Sequence, residues 1–159
     1  MNIACHYAIV RFTPFIETGE FANVGLVMLA PGIRFFGFKL LLNRYARVIN
    51  FFEGLDPEVF KASIGDLNEE MKRLDLILNQ TGIYDKEALL RIWKELIKPR
   101  ETMLRFSEPR LVLAEECTSK LQELYDYYVG HNFANIEYQE KLLERGIRSP
   151  AILPPPGSR

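Results

Sequence analysis

Through its first forty positions the chain sets apolar residues in short blocks broken by turn residues; through its middle they recur every three or four positions. The first pattern is that of strands and the second that of amphipathic helices. Cys5–Phe12 alternates and is rich in β-formers, so it reads as a strand, ended at Thr13-Pro14 because proline cannot donate to a sheet ladder. Glu17-Thr18-Gly19-Glu20 reads as a turn, and Phe21–Leu29 as a second strand. From Val24 onward that strand is apolar on both faces, as expected of a strand covered on both sides. After the Pro31-Gly32 turn, Ile33–Leu41 forms a third, with Arg34, Phe36, Phe38 and Leu40 on one face. Three strands on short connections predict an antiparallel meander.

Helical periodicity follows. Asn43–Phe52 is a short helix closed by Glu53-Gly54, and Asp56-Pro57 opens a longer one, Asp as cap and Pro pre-shaped for the first turn. Its stripe is Phe60, Ile64, Leu67, Met71, Leu74 and Leu78; Gly65-Asp66 interrupts it and leaves open one kinked helix or two. Lys86–Lys98 is a further helix, ended by Pro99. Period two returns at Met103–Ser107 and Leu111–Ala114, either side of Glu108-Pro109-Arg110, and predicts a late strand or hairpin. Thr118–Val129 and Phe133–Arg145 read as helices, and Ser149–Arg159, with Pro154-Pro155-Pro156, as a flexible tail. This order argues for an α+β domain: an antiparallel sheet of three to five strands with helices packed mainly on one face. The domain spans 1–148 and the Pro-rich tail 149–159.

Composition narrows this little. A chain of 159 residues is one domain and can bury roughly 68–70% of its unfolded surface without a disulfide or metal. An aromatic content of 12% argues against disorder. With net charge −1, no global field draws it to nucleic acid or anionic lipid. The first fifty residues nevertheless carry Arg11, Arg34, Lys39, Arg44 and Arg47 against Glu17 and Glu20 alone. Cys5 and Cys117 form no C-x-x-C pattern, the N-terminus has no basic region followed by a long apolar core, and the longest apolar run, Val24–Gly32, is far short of a membrane span. A cytoplasmic protein with reduced, unpaired thiols and no membrane contact is expected.

Candidate chemistry is sparse. His6, His131, Cys5 and Cys117 sit at no metal-ligand spacing, and no G-x-S-x-G elbow or phosphate-cradling glycine motif is present, so neither metal nor cofactor is expected. Cys117 with His6 or His131 is a conceivable nucleophile pair, although a buried inert thiol is commoner. Glu137, Glu140 and Glu144 mark a solvated helix face.

The segment Gly19-Glu20-Phe21-Ala22-Asn23-Val24-Gly25 is different, since ordinary strands need neither that Asn nor the second Gly. On a structural reading Gly19 supplies a positive φ, Asn23 bonds neighbouring backbone, and Gly25 permits close approach by a helix or a bulge. On a functional reading Arg11, Glu17, Glu20 and Asn23, with Arg105 and Arg110, form a polar recognition site at one end of the sheet.

These residues also carry a resemblance. Y-A-I-V-R-F-x-P at Tyr7–Pro14, G-E-F-x-N-V-G-L-V at Gly19–Val27 and L-x-x-L-Y-x-x-Y-V at Leu121–Val129 resemble a bacterial family catalogued as a domain of unknown function, number 3037. Arg105-Phe106 and Pro109-Arg110 are similar to its second hallmark, a strand pair with a Pro-Arg turn, but Leu111–Ala114 leads directly to Glu115 without the polar segment of many relatives. The family has no agreed catalytic residues. Its relatives are often encoded beside a HipA-like, persistence-toxin type kinase, which implies an accessory role in a toxin, defence or stress module. The expectation is therefore a non-enzymatic cytosolic interaction protein with a protein partner, homo-oligomerisation being open. The alternative is a nucleic-acid-binding module or nucleic-acid-processing enzyme using the same polar residues.

Overall fold

The computed structural model describes residues 2–79 and 85–130. The helix expected over Phe133–Arg145, the Pro-rich tail 149–159 and His131 lie outside the described residues. Among those described, five strands form one antiparallel sheet: β1 (Ile3–Phe12), β2 (Ala22–Ala30), β3 (Phe35–Leu40), β4 (Leu104–Phe106) and β5 (Arg110–Ala114). β1, β2 and β3 make the expected meander, in spatial order β3-β2-β1. All nine residues of β2 are buried, which accounts for its apolarity on both faces.

β4 and β5 do not form a hairpin with each other. Both pair with β1, β5 along Ile3–Tyr7 and β4 along Val10–Phe12, as one edge strand broken in the middle. Pro109 has no N–H to give at the break, and Ser107 makes good the loss: its N–H donates to the Ile9 carbonyl at 2.8 Å and its Oγ accepts from the Ile9 N–H at 2.9 Å.

The helices are α1 (Ala46–Phe51), α2 (Pro57–Asn79), α3 (Lys86–Leu96) and α4 (Cys117–Tyr125), the last running into a π-helical turn at Asp126–Gly130. α2 is one continuous helix through Gly65, so the alternative of two helices is settled. Asp56 accepts from the Glu58 N–H at 3.0 Å and Asp85 from the Ala88 N–H at 2.8 Å, satisfying first-turn donors that the helices cannot. Three helices cover the sheet face bearing His6 and Phe12: Phe12 packs edge-on against Phe52 and Phe60, and His6 lies against Trp93. α2 buries Phe60, Ile64, Leu67 and Met71 there, each contributing about 1.5–3 kcal/mol against exposure. Among the described helices, α4 is the one that packs on the opposite face, among Cys5, Tyr7 and Ile9, with Leu121 and Leu124 buried.

The loop between β1 and β2 carries Gly19 at φ 71°, the left-handed conformation expected of it. Gly19→Val is expected to lower stability by about 1 kcal/mol or more, because a β-branched residue is strained there. Glu20→Ala changes it little, since that carboxylate is exposed. Thermal melts of the two variants check both.

Candidate functional site

One residue too many on β2 shapes the site. β1 pairs with β2 regularly from His6↔Leu29 to Val10↔Gly25, then shifts, so that Arg11 faces Asn23 and Phe12 faces Ala22. Val24 is the bulged residue, and the bulge aims Asn23 toward the face that carries Tyr7 and Arg11. There Asn23 is 8% exposed, and its Nδ2 donates to the Tyr128 carbonyl at 3.1 Å, not to backbone near its own turn. The expectation of a local hydrogen bond is thus overturned: the partner is 105 residues away, on the π-helical turn.

That turn is pinned from several sides. Arg47 donates to the carbonyls of Val129, at 2.6 Å, and Gly130, at 3.3 Å, placing a cation where a helix end exposes unpaired carbonyls. The Tyr128 hydroxyl accepts from Arg110 Nη1 at 2.7 Å and lies 3.3 Å from the Tyr7 hydroxyl. Burial, then the Tyr7 contact, pushes the Tyr128 pKa well above the usual phenol value, so the hydroxyl stays neutral and acts as a hydrogen-bonding node. Lys39 reaches α4 from β3, bonding Gln122 and lying over the Tyr125 ring. Tyr7, Arg47 and Tyr128 were not singled out as site residues from the sequence; the repeated tyrosine spacing Tyr125-x-x-Tyr128 was the available signal.

Arg11, Arg105 and Arg110 project from the same sheet face, because Arg11 pairs with Arg105 and Tyr7 with Arg110 across the strands. Arg11 lies over the Phe21 ring at 4.4 Å, and its Nε is buried without a hydrogen-bond partner among the described residues. Its pKa is pushed down, first by burial and then by the like charge of Arg110, with Glu108 acting in the opposite sense. Arg105 donates Nε to the Thr102 carbonyl at 3.0 Å. Among the described residues none of the three arginines has a carboxylate within 4.0 Å; the ion pair of that strength made by an arginine is Arg100 with Glu70. Glu17 and Glu20 sit on the exposed loop and are not brought to the arginines. The six candidate positions therefore divide: Arg11, Asn23, Arg105 and Arg110 share a face, whereas the two glutamates do not join them. Gly25 serves close approach by the neighbouring strands β3 and β1, not by a helix: an added Cβ would meet Leu40, Lys39 and Val10.

The other candidates do not assemble chemistry. Cys5 and Cys117 face each other across β1 and α4, both buried, joined by a thiol–thiol hydrogen bond of 3.6 Å, Sγ to Sγ, and not by a disulfide. Burial and the neighbouring Cys117 push the Cys5 thiol up to about 12, so it is protonated and unreactive at neutral pH. Thiol titration is expected to find no fast-reacting group in the native protein and two in the denatured, unreduced one; finding none after denaturation would show a disulfide. His6 is on the opposite sheet face from Cys117, so these two cannot pair as nucleophile and base. Among the described residues no group of three or more His, Cys, Asp or Glu could hold a metal, and no helix is long and apolar enough to cross a membrane. A depression of about 300 Å³ between α2 and β4 is crossed by the Arg100–Glu70 bridge, at 2.8 and 3.3 Å, with Asp66 also on its wall.

Neither curated proteins nor solved structures give a match to the chain. A family model described as a protein of unknown function (DUF3037) matches residues 7–129, from the Tyr7 of β1 to the Val129 of the π-helical turn. All three motifs that carry the resemblance thus fall inside the match, and the chain belongs to that family.

Proposed function

We propose that the chain is a non-enzymatic accessory protein that binds an acidic segment of a protein partner on the face bearing Arg11, Arg105 and Arg110. The observation that carries this reading is a set of arginines without carboxylate partners within ion-pair distance, one of them with a buried Nε that bonds to nothing described. An arginine taken out of water without an acceptor is unfavourable, and like charge from Arg110 makes it more so. A carboxylate or other oxyanion arriving there relieves both, and guanidinium forks bind such groups in bidentate fashion. A net charge of −1 leaves this patch local, which favours a segment of a folded partner over a long polyanion. The HipA-like kinase implied by the family resemblance is one such partner, and the working compartment is the cytoplasm.

A second reading, a nucleic-acid-binding module or processing enzyme, draws on the guanidinium–ring pairs Arg11–Phe21 and Arg110–Tyr128, the type of surface on which bases stack. Purification of tagged wild type and Arg11→Gln from the native host, with mass spectrometry of bound protein and nucleic acid, separates the readings. A protein retained by the wild type and lost from the variant supports the first. Bound nucleic acid, sensitive to the same substitution, supports the second; co-purification indifferent to Arg11 removes both.

A further inference from the structure

β5 is an open edge. It pairs with β1 on one side, and among the described residues no strand lies on its other side. Its side chains alternate: Val112 and Ala114 are buried beneath α4, whereas Leu111 and Leu113 are 57% and 58% exposed on the opposite face. The main-chain direction follows from Ile9, which exchanges bonds with Ser107 and so points its N–H and C=O toward this edge. Tyr7, Cys5 and Ile3 point the same way by strand alternation, toward Arg110, Val112 and Ala114. The N–H and C=O groups of Leu111 and Leu113 are then left directed outward. Exposed leucines on an unpaired edge are a template for another strand, and the devices that commonly blunt an edge, such as lysine or a mid-strand proline, are absent from Arg110–Ala114.

We propose that the chain forms a two-fold homodimer in which β5 pairs antiparallel with β5 of a second copy, centred on Val112. The segment is self-complementary in that register. Leu111 of each copy lies opposite Leu113 of the other, the outward main-chain groups of these two residues exchange hydrogen bonds, and the four leucines meet on one face. Arg110 lies opposite Ala114 of the second copy on the α4 side of the sheet, and Glu116, beyond the paired segment, is held by its own helix, accepting from the Thr118 and Ser119 N–H groups. Neighbouring registers are worse: centring on Leu111 sets Pro109, which has no N–H, in a bonding position, and centring on Leu113 sets Leu111 against Glu115. A shift that changes strand parity turns the leucines away from one another. The sheet becomes continuous across both copies, and both arginine-bearing faces emerge on the same side of it.

Light scattering of the full chain eluting from a gel-filtration column tests this. The wild type is expected at twice 18.4 kDa. L111K/L113K, which sets lysine against lysine at both pairs, is expected to elute as a folded monomer. L111K/L113E, which sets lysine against glutamate in the proposed register and like charges against each other when centred on either leucine, is expected to remain a dimer. A monomeric wild type overturns the proposal. A dimer that survives L111K/L113K, or one lost in folded L111K/L113E, overturns it as well, the first by placing the interface elsewhere and the second by excluding the register.

Discussion

Gly25→Val is expected to lower stability by about 3 kcal/mol or more, enough to leave much of the protein unfolded if its margin is ordinary. A Cβ at Gly25 would lie 2.6 Å from Leu40 Cδ2, 2.9 Å from the Lys39 carbonyl oxygen and 3.3 Å from Val10 Cβ. The leucine methyl can move, but the carbonyl belongs to β3 and moves only if β3 does. Moving β3 strains the ladder just where the Leu41 N–H donates to the Val24 carbonyl at 2.8 Å, beside the bulge. Valine is otherwise a favourable strand residue, so propensity alone predicts the opposite sign. Gly32→Ala, where an added Cβ meets nothing within 4 Å, should change stability by no more than about 0.5 kcal/mol. Urea unfolding of the two variants measures the contrast; equal, small effects would mean that β2 and β3 are not this close.

Tyr128→Ala should cost about 3–5 kcal/mol, the range for emptying an aromatic site in a core. The ring is 5% exposed and sits 6.1 Å from that of Tyr7 and 5.2 Å from that of Tyr127, centroid to centroid. Tyr128→Phe isolates the hydroxyl: it leaves the Tyr7 hydroxyl and Arg110 without their shared partner and should cost about 1–3 kcal/mol. In neither variant is the Tyr128 carbonyl removed, so Asn23 keeps its bond. Asn23→Ala combined with Tyr128→Phe should accordingly be close to additive. Strong coupling in that double-mutant cycle would mean that hydroxyl and carbonyl move together as the turn shifts.

The elements were legible where one force decided them. Apolarity on both faces marked β2 as central, and the three-four stripe from Phe60 to Leu78 marked α2, because burial alone sets both patterns. The Gly65-Asp66 interruption left continuity open, and the structure answers it: in mid-helix, with nothing near an added Cβ, Gly65 weakens α2 without breaking it. The edge strand was legible as two period-two runs but not as two segments of a single ladder, since that depends on Ser107 substituting a side-chain oxygen for a main-chain one. The site was legible as residue types and not as partners. Nothing local to Asn23 indicates a bond to Tyr128, and nothing in Arg47 indicates that it closes the π-helical turn, because both contacts exist only after α4 has docked across β2 and β3. Glu17 and Glu20 were grouped with the arginines by sequence proximity, and the exposed loop carries them apart.

Structurally, then, the N-V-G and Y-x-x-Y-V motifs are two halves of one joint, and what the joint leaves over is arginine. The most direct measurement of whether that arginine is a recognition surface is calorimetric titration of the partner captured from the native host into wild type, Arg11→Gln and Glu17→Gln/Glu20→Gln. Removal of a charge-assisted bond from Arg11 predicts affinity reduced by about tenfold or more, with the melting temperature unchanged or raised because an unpaired buried guanidinium is lost. The glutamate variant should bind as the wild type does or somewhat more tightly, and binding by wild type and Arg11→Gln should weaken as salt is raised, Arg11→Gln less steeply. Wild-type affinity and an unaltered salt dependence in Arg11→Gln would contradict the account and confine this face to architecture.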